Sequence, residues 1–302
     1  MFNHGLMGQR SLEDVVGIFG HQLRALGHEI VWDPRNDRFL SGSEGYNLIV
    51  EGFTPDSVAA IAEGYNNGAK FLILATEEPT PKGFNHGTQK EMVMRQETFK
   101  DGAQFADGIF HLVPGGYTAK WYSQFAPTAY VELGFARSLV RPDDGREPIY
   151  DFGFFGSLSK RRLKILRKLA QYTGKQNAVR VVADFPDQTS RDHAMREAKV
   201  ILQLRKFDEM GLVSSSRCNT ALCLGRPVVA EPHDLSKPWD SIVHFSKSME
   251  NFYGEALAVC AVWRNVHAGQ FRKFKEILPP ERCVGEPLAF VLAENERRRR
   301  AA

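Results

Sequence analysis

No stretch of the 302-residue chain approaches the roughly 20 consecutive apolar residues of a bilayer-crossing helix. The opening MFNHGLMGQR also lacks the apolar core of a secretory leader. Both absences point to a soluble protein, or one at most peripheral to a membrane. Cysteine is scarce: Cys218, Cys223, Cys260 and Cys283 form no C-x-x-C pair, and two lie inside apolar helical patterns. Reduced, buried thiols and a cytoplasmic setting follow. No G-x-G-x-x-G follows a strand, which argues against a dinucleotide oxidoreductase. No D-x-D cluster stands at a strand end, so no metal site is expected. Charge of one sign is also missing. Lys and Arg total 39 against 36 Asp and Glu, a net of +3, too slight to argue for a nucleic-acid partner.

What is present is an ordinary globular composition, 43% hydrophobic and 25% charged, in a chain long enough for two cores. Apolar spacing predicts a helix over 11–27 and a strand over 28–34, then strand 46–53, helix 55–68, strand 70–79, helix 88–106, strand 108–114, a short helix 117–125 and strand 126–133. The polar, Pro- and Gly-bearing RSLVRPDDGREP (137–148) reads as a linker. A second alternation follows: strand 149–157, helix 160–174, strand 177–184, helix 190–198, strand 199–205, a helix and strand within 214–231, and a weak strand 241–246. Helical segments close the chain. Such alternation implies parallel sheets covered on both faces.

Open parallel sheets bind ligands beyond the carboxyl ends of their strands. In the second half, FFGSLSKRR places Gly156 and Ser157 at a strand-to-helix turn, where a missing Cβ lets backbone approach a ligand. SSSRCNTALCLGRPVVAE opens a helix with Ser214, Ser215, Ser216 and Arg217. Free N–H groups at the positive end of a helix, with hydroxyls and a guanidinium beside them, suit a phosphate. Plain N-capping is the alternative reading of the serines. Arg205 and Lys206 are expected to converge on the same helix end, and Glu231 and His233 to offer acceptors for ribose hydroxyls or a base edge.

YDFGFFGSLSKRRLKIL, with AKVILQLRKFDEMGLVSSSRCNTALCLGRPVVAE, resembles the donor-binding domain of GT-B glycosyltransferases, nearest the spore-maturation-type, family 1-like group. SLEDVVGIFGHQLRALGHEIVWDP resembles the opening of their acceptor domain. The resemblance implies two Rossmann-like α/β domains facing a cleft: 1–140 on the acceptor side, 149–278 as the nucleotide-sugar donor domain, and 279–302 as a helix returning to the first domain. It also implies a nucleotide-diphosphate sugar as donor substrate and no further cofactor or metal. Gly156 and Ser157 would line the donor loop, and Ser215, Ser216 and Arg217 the diphosphate site. The sequence departs from the family where an acid usually meets the donor ribose, since Thr220 stands there, and Leu212 replaces the first acid of a Glu-x7-Glu pair.

An acceptor hydroxyl needs a base, and Glu77 and Glu78 after strand KFLILAT are candidates, with His4 and His86 as rivals. Tyr117, Trp121 and Tyr122 are either sugar-stacking aromatics or core. The acceptor itself, whether glycan, glycolipid or protein, is not named by the sequence. ERRRR at 296–300 reads either as a solvated helix end or as a weak contact with anionic lipid at the inner membrane face. Sugar transfer, epimerisation or hydrolysis of a nucleotide sugar, and non-catalytic binding stay open as activities on this fold.

Overall fold

A computed structural model describes residues 5–31, 39–40, 42, 44–51, 53–86, 90–142, 145–175, 178–183, 187–206, 208, 211–233 and 237–301, with the side chains of 5–11 and 86 outside the description. The chain divides into two compact units: Met1–Glu132 with Pro280–Ala302, and Leu133–Pro279.

In the first unit, helix α1 (Gly5–Ala25) precedes β1 (Tyr46–Val50), α2 (Pro55–Asn66), β2 (Lys70–Ala75), α3 (Lys90–Ala103), β3 (Gly108–His111), α4 (Gly116–Tyr122) and β4 (Thr128–Tyr130). The strands form a parallel sheet in sequence order, β1-β2-β3-β4. The strand expected at 28–34 is not formed by His28–Val31, which join no sheet among the described residues; 32–34 lie outside them. Val31 is 66% exposed, so its apolar side chain finds no core. α2 begins where its sequence says it should: Thr54 and Ser57 exchange capping hydrogen bonds and Pro55 opens the first turn. The core is aromatic. Phe99 of α3 meets Phe53, Phe84, Trp121 and Tyr122 at centroid distances of 5.3–5.8 Å, which makes Trp121 and Tyr122 core residues and leaves Tyr117 exposed.

The last helix, α10 (Glu286–Ala301), follows a short π-helical turn (Glu281–Gly285) and packs on this first sheet. It lies so close to β3 that a Cβ on Gly108 would stand 2.1 Å from Val291. Buried Asp107 fastens it: one carboxylate oxygen accepts the Phe71 N–H of β2 at 2.8 Å, the other accepts Asn295 at 3.1 Å and Arg299 of α10. In the arginine run, Arg297 and Arg300 pair with Glu294 and Glu296 of the same helix, and Arg298 is exposed.

The second unit holds β5 (Tyr150–Phe155), α5 (Lys160–Thr173), β6 (Val179–Val182), α6 (Gln188–Arg196), β7 (Ala198–Gln203), α7 (Ser215–Cys223), β8 (Val228–Ala230), β9 (His244–Phe245), α8 (Met249–Ala261) and α9 (Trp263–Ile277). All strand pairs are parallel, in the order β6-β5-β7-β8-β9. Ile165, Leu166 and Leu169 of α5 bury against Phe152, Phe154, Val200 and Leu202 of the sheet, with Phe252 and Tyr253 of α8. Residues 133–140, expected with the first domain, belong here: the Asn219 amide of α7 donates to the carbonyls of Leu133 and Gly134 at 3.0 and 2.6 Å. All four cysteines are free and buried, and burial pushes the Cys223 thiol up to about 12. No helix among the described residues is long and apolar enough to cross a membrane.

Candidate functional site

In the second sheet the chain reverses direction of growth at β5: its following helix leads outward to β6, while β7 lies on its other side. The carboxyl ends of β5 and β7 therefore flank a topological switch point, where crossover connections part and leave a crevice. The expected donor residues gather at these ends.

Gly156 follows β5 with φ +132°, in a region that L side chains rarely adopt. A Cβ here would also stand 2.8 Å from Nη2 of Arg217. Arg217, in the first turn of α7, donates from Nε to the Phe155 carbonyl at 2.8 Å and from Nη1 to the Gln203 side-chain oxygen. Its Cζ lies 5.3 Å from the centre of the Phe154 ring, which also receives Arg162 at 5.1 Å. Burial first, then the Arg162 charge, lower the Arg217 guanidinium to about 10. Among the described residues no carboxylate pairs with it and nothing accepts from Nη2. Two of the three guanidinium nitrogens are thus engaged by protein, and one is left facing the Gly156 turn.

Tandem arginines hold the scaffold beneath. Arg162, 5% exposed, donates to the carbonyls of Leu204 (2.7 Å) and Ser157 (2.7 Å), tying the loop after β5 to the end of β7. Arg161 grips both oxygens of Glu231 and reaches Asp208, which raises its pKa. Glu231 is fully buried; its carboxylate also accepts the Arg205 N–H, and the Arg205 Nε lies 3.5 Å away. Its acceptor capacity is spent on protein, not turned toward a ribose. Arg205 in turn donates to the Asp208 carbonyl at 2.8 Å. Lys206 is exposed, and Thr220 is half-buried in the body of α7.

Of the serines, Ser215 accepts the Trp239 indole N–H at 3.2 Å, and Ser214 and Ser216 share a 3.5 Å contact. Ser214 stands at the N-cap without a side-chain capping bond. Ser157 is exposed in the loop. His233 donates from Nδ1 to the Glu231 carbonyl at 2.7 Å, its Nε2 is 3.4 Å from the Gln203 amide nitrogen, and burial lowers its pKa.

The first unit presents a different set at its strand ends. Glu77, just past β2, is paired with Arg95 of α3 and accepts the Asn85 amide; its carbonyl accepts the Tyr122 hydroxyl at 2.8 Å. Asn85 adopts φ 55°, ψ 37°, and its backbone and side chain bond Glu78 at 2.7 and 2.9 Å. A non-glycine residue held left-handed across two acids marks a constrained place. Just past β1 stands Glu51, 1% exposed, accepting the N–H and hydroxyl of Thr76. Burial, then the Glu77 charge, push its carboxyl well above the usual range, against the Thr76 hydrogen bonds. At the end of β3, His111 is 1% exposed and donates from Nδ1 to the Val113 carbonyl at 2.8 Å. His86 lies in the turn Phe84–His86 with its side chain outside the described residues, and His4 lies outside them altogether.

Sequence reasoning missed Glu51, Gln203 and Arg161. Each carried a signal: an acid closing the apolar run LIV, an amide inside the buried strand KVILQL, and positive charges in a first helical turn where they oppose the dipole. Among the described residues no group of three or more His, Cys, Asp or Glu side chains is placed to hold a metal ion.

No protein-family model and no curated protein matches the sequence. Solved structures do. The chain is similar to an α,α-trehalose 6-phosphate synthase from Burkholderia multivorans, with TM-score 0.53 and 9% identity over 98% of this chain and 78% of that one. It is similar to accessory secretory protein 1, 2 and 3 of Streptococcus pneumoniae, with TM-score 0.51 and 8% identity over 83% of this chain. It is also similar to TarM, with TM-score 0.50 and 10% identity over 81% of this chain. The chain spans about half (54%) of the length of the last two. Two α/β units with parallel sheets, a closing helix and these likenesses together give the chain the GT-B glycosyltransferase fold.

Proposed function

We propose that the protein transfers a glycosyl group from a nucleotide-diphosphate sugar to an acceptor hydroxyl. The observation that carries this reading is Arg217: a cation with no carboxylate among the described residues, at a helix start and a switch point, with one nitrogen uncommitted beside a glycine turn. A half-buried positive charge with no counter-ion among the described residues favours a ligand that brings negative charge. A diphosphate does so, and becomes more negative as the sugar leaves. The α7 amides and Arg217 would stabilise that charge, and no metal is needed in this scheme. Ser157 and Ser214–Ser216 would bound the same anion, while Arg161, Arg162 and Glu231 hold the strand ends in place.

On the acceptor side, Glu77 is the base we propose. Arg95 and Asn85 fix its carboxylate, and the neighbouring Glu51 carboxyl, buried and favouring its proton, keeps a second negative charge away. The donor sugar would be told apart by groups other than Arg217, which meets only the part common to all nucleotide diphosphates.

The test is calorimetric binding of UDP and GDP to wild-type protein and Arg217→Ala. Loss of one charge-assisted contact, about 1.5–3 kcal/mol, weakens binding roughly 10- to 150-fold. Equal affinity in a folded variant overturns the assignment. Release of nucleotide diphosphate from its sugar conjugate only when an acceptor is added marks transfer; release without one marks hydrolysis.

A further inference from the structure

His233 and Gln203 form a chain of hydrogen bonds that ends on Arg217, and its two ends dictate everything between. A guanidinium only donates, so Gln203 must turn its oxygen toward Arg217 Nη1. Its NH2 group then faces Nε2 of His233, which must be a lone pair. At the other ring nitrogen stands the Glu231 carbonyl, which only accepts, so Nδ1 carries the proton. The two requirements on the imidazole agree, and they describe one neutral tautomer. Gln203 is 2% exposed, so its amide has no solvent as an alternative partner, and the half-buried His233 ring packs edge-on against Phe245 at 5.7 Å.

We propose that His233 and Gln203 are positioning residues which hold the Arg217 guanidinium against the Gly156 turn, and that a proton on His233 releases it. This rests on the reading of Arg217 as the anion-binding group. A proton added at Nε2 would confront the Gln203 NH2 group. The amide relieves that clash by turning over, which presents NH2 to Nη1 and leaves Arg217 held only through Nε and Phe155. Among the described residues the charged groups around the ring are Glu231 on its own segment, Arg205 after β7 and Arg217 on α7; the two cations oppose protonation, as burial does, and Glu231 favours it. Since Arg161 and Arg205 occupy the Glu231 carboxylate, its support for an imidazolium is weakened. Below neutral pH, therefore, affinity for a phosphate-bearing ligand falls as the ring gains its proton, the opposite of what a simple added positive charge near an anion produces.

The experiment measures UDP affinity between pH 5 and 8 for wild type, Gln203→Met and His233→Gln, alongside nitrogen-15 shifts of the His233 ring. Ratios of affinities at each pH cancel the ionisation of UDP itself. At pH 8 the wild type binds about 10-fold tighter than Gln203→Met, the loss of one charge-assisted bond, and the ratio falls toward one as the pH drops. His233→Gln removes the ring's titration and with it the pH dependence of its own ratio to Gln203→Met. The ring shifts report a proton on Nδ1 in the neutral form, and a pKa that rises in Gln203→Met. A ratio constant across the range, a proton on Nε2 in the neutral ring, or a pKa indifferent to Gln203 overturns the proposal. Should the Met variant fail to fold, the tautomer and the His233→Gln profile decide. Should wild type bind no UDP, the assignment of Arg217 fails, and the ring shifts and pKa still judge the positioning pair.

Discussion

The two sheets are built from the same strand-helix alternation, yet their carboxyl ends differ in kind. The first sheet grows in one direction, β1 to β4, and its ends carry Glu51, Glu77 and the neutral His111. The second grows outward from β5 in both directions, and its ends carry Arg161, Arg162, Arg205 and Arg217 around the buried carboxylate of Glu231. In the first, burial holds an acid toward its neutral form; in the second, burial leaves a cation short of a counter-ion. One strand-helix alternation thus carries, through a handful of strand-end residues, a buried acid in one unit and a cluster of arginines in the other, the contrast on which the proposed base and anion site rest.

The sharpest way to break the contrast is to remove the buried acid of the cationic set. Glu231→Ala removes the buried carboxylate that the largely buried Arg161 and Arg205 share, leaving Arg161 only the exposed Asp208, which costs about 3–5 kcal/mol. Urea unfolding shows the loss, and hydrogen exchange assigns it to the second unit, with the β2 and β3 amides unaffected.

A smaller effect is expected at the glycine turn. Gly156→Ala forces a side chain into φ +132° and against Arg217. Strain of this kind costs about 1–3 kcal/mol. UDP affinity falls with stability, because the displaced group is the nitrogen proposed to meet the phosphate. UDP affinity unchanged in a variant that shows the expected destabilisation separates the turn from the site.

On the acidic side the difference is written in pH. Glu51 holds its proton in the folded state above the pH at which the unfolded chain releases it. The folded state then binds more protons, so stability declines as pH rises from the ordinary carboxylate range toward the folded pKa, by at most about 1.4 kcal/mol per pH unit. Glu51→Gln flattens this slope, and thermal unfolding from pH 4 to 7 measures it. A slope equal to that of wild type assigns the dependence to other groups.

Much of this was legible in the residues. KFLILA, YDFGFF and AKVILQ announce buried parallel strands, and the caps at Thr54, Ser159 and Ser248 open helices where the sequence places them. Gly156 and Arg217 could be picked out because a turn and a helix start have local signatures, and the structure brings them within 2.8 Å. Partner choice was not legible. Glu231 ends a strand in the right place for a ligand contact, but Arg161, 70 positions earlier, takes its carboxylate. HEIV has the apolar content of a strand and finds no strand to pair with among the described residues. Local pattern fixes which element forms; which side chain meets which is settled by packing across the chain.

The Asp107 fastening has a consequence for how the molecule is made. The first unit needs residues from both ends of the chain, since Val291, Asn295 and Arg299 close over the start of β3. During synthesis those residues leave the ribosome only after the whole second unit has emerged. The first sheet must therefore wait, with the face around Gly108 uncovered, while the unit translated later has all its own residues to hand and can finish before it. The residues that complete the first unit are thus made after those that complete the second.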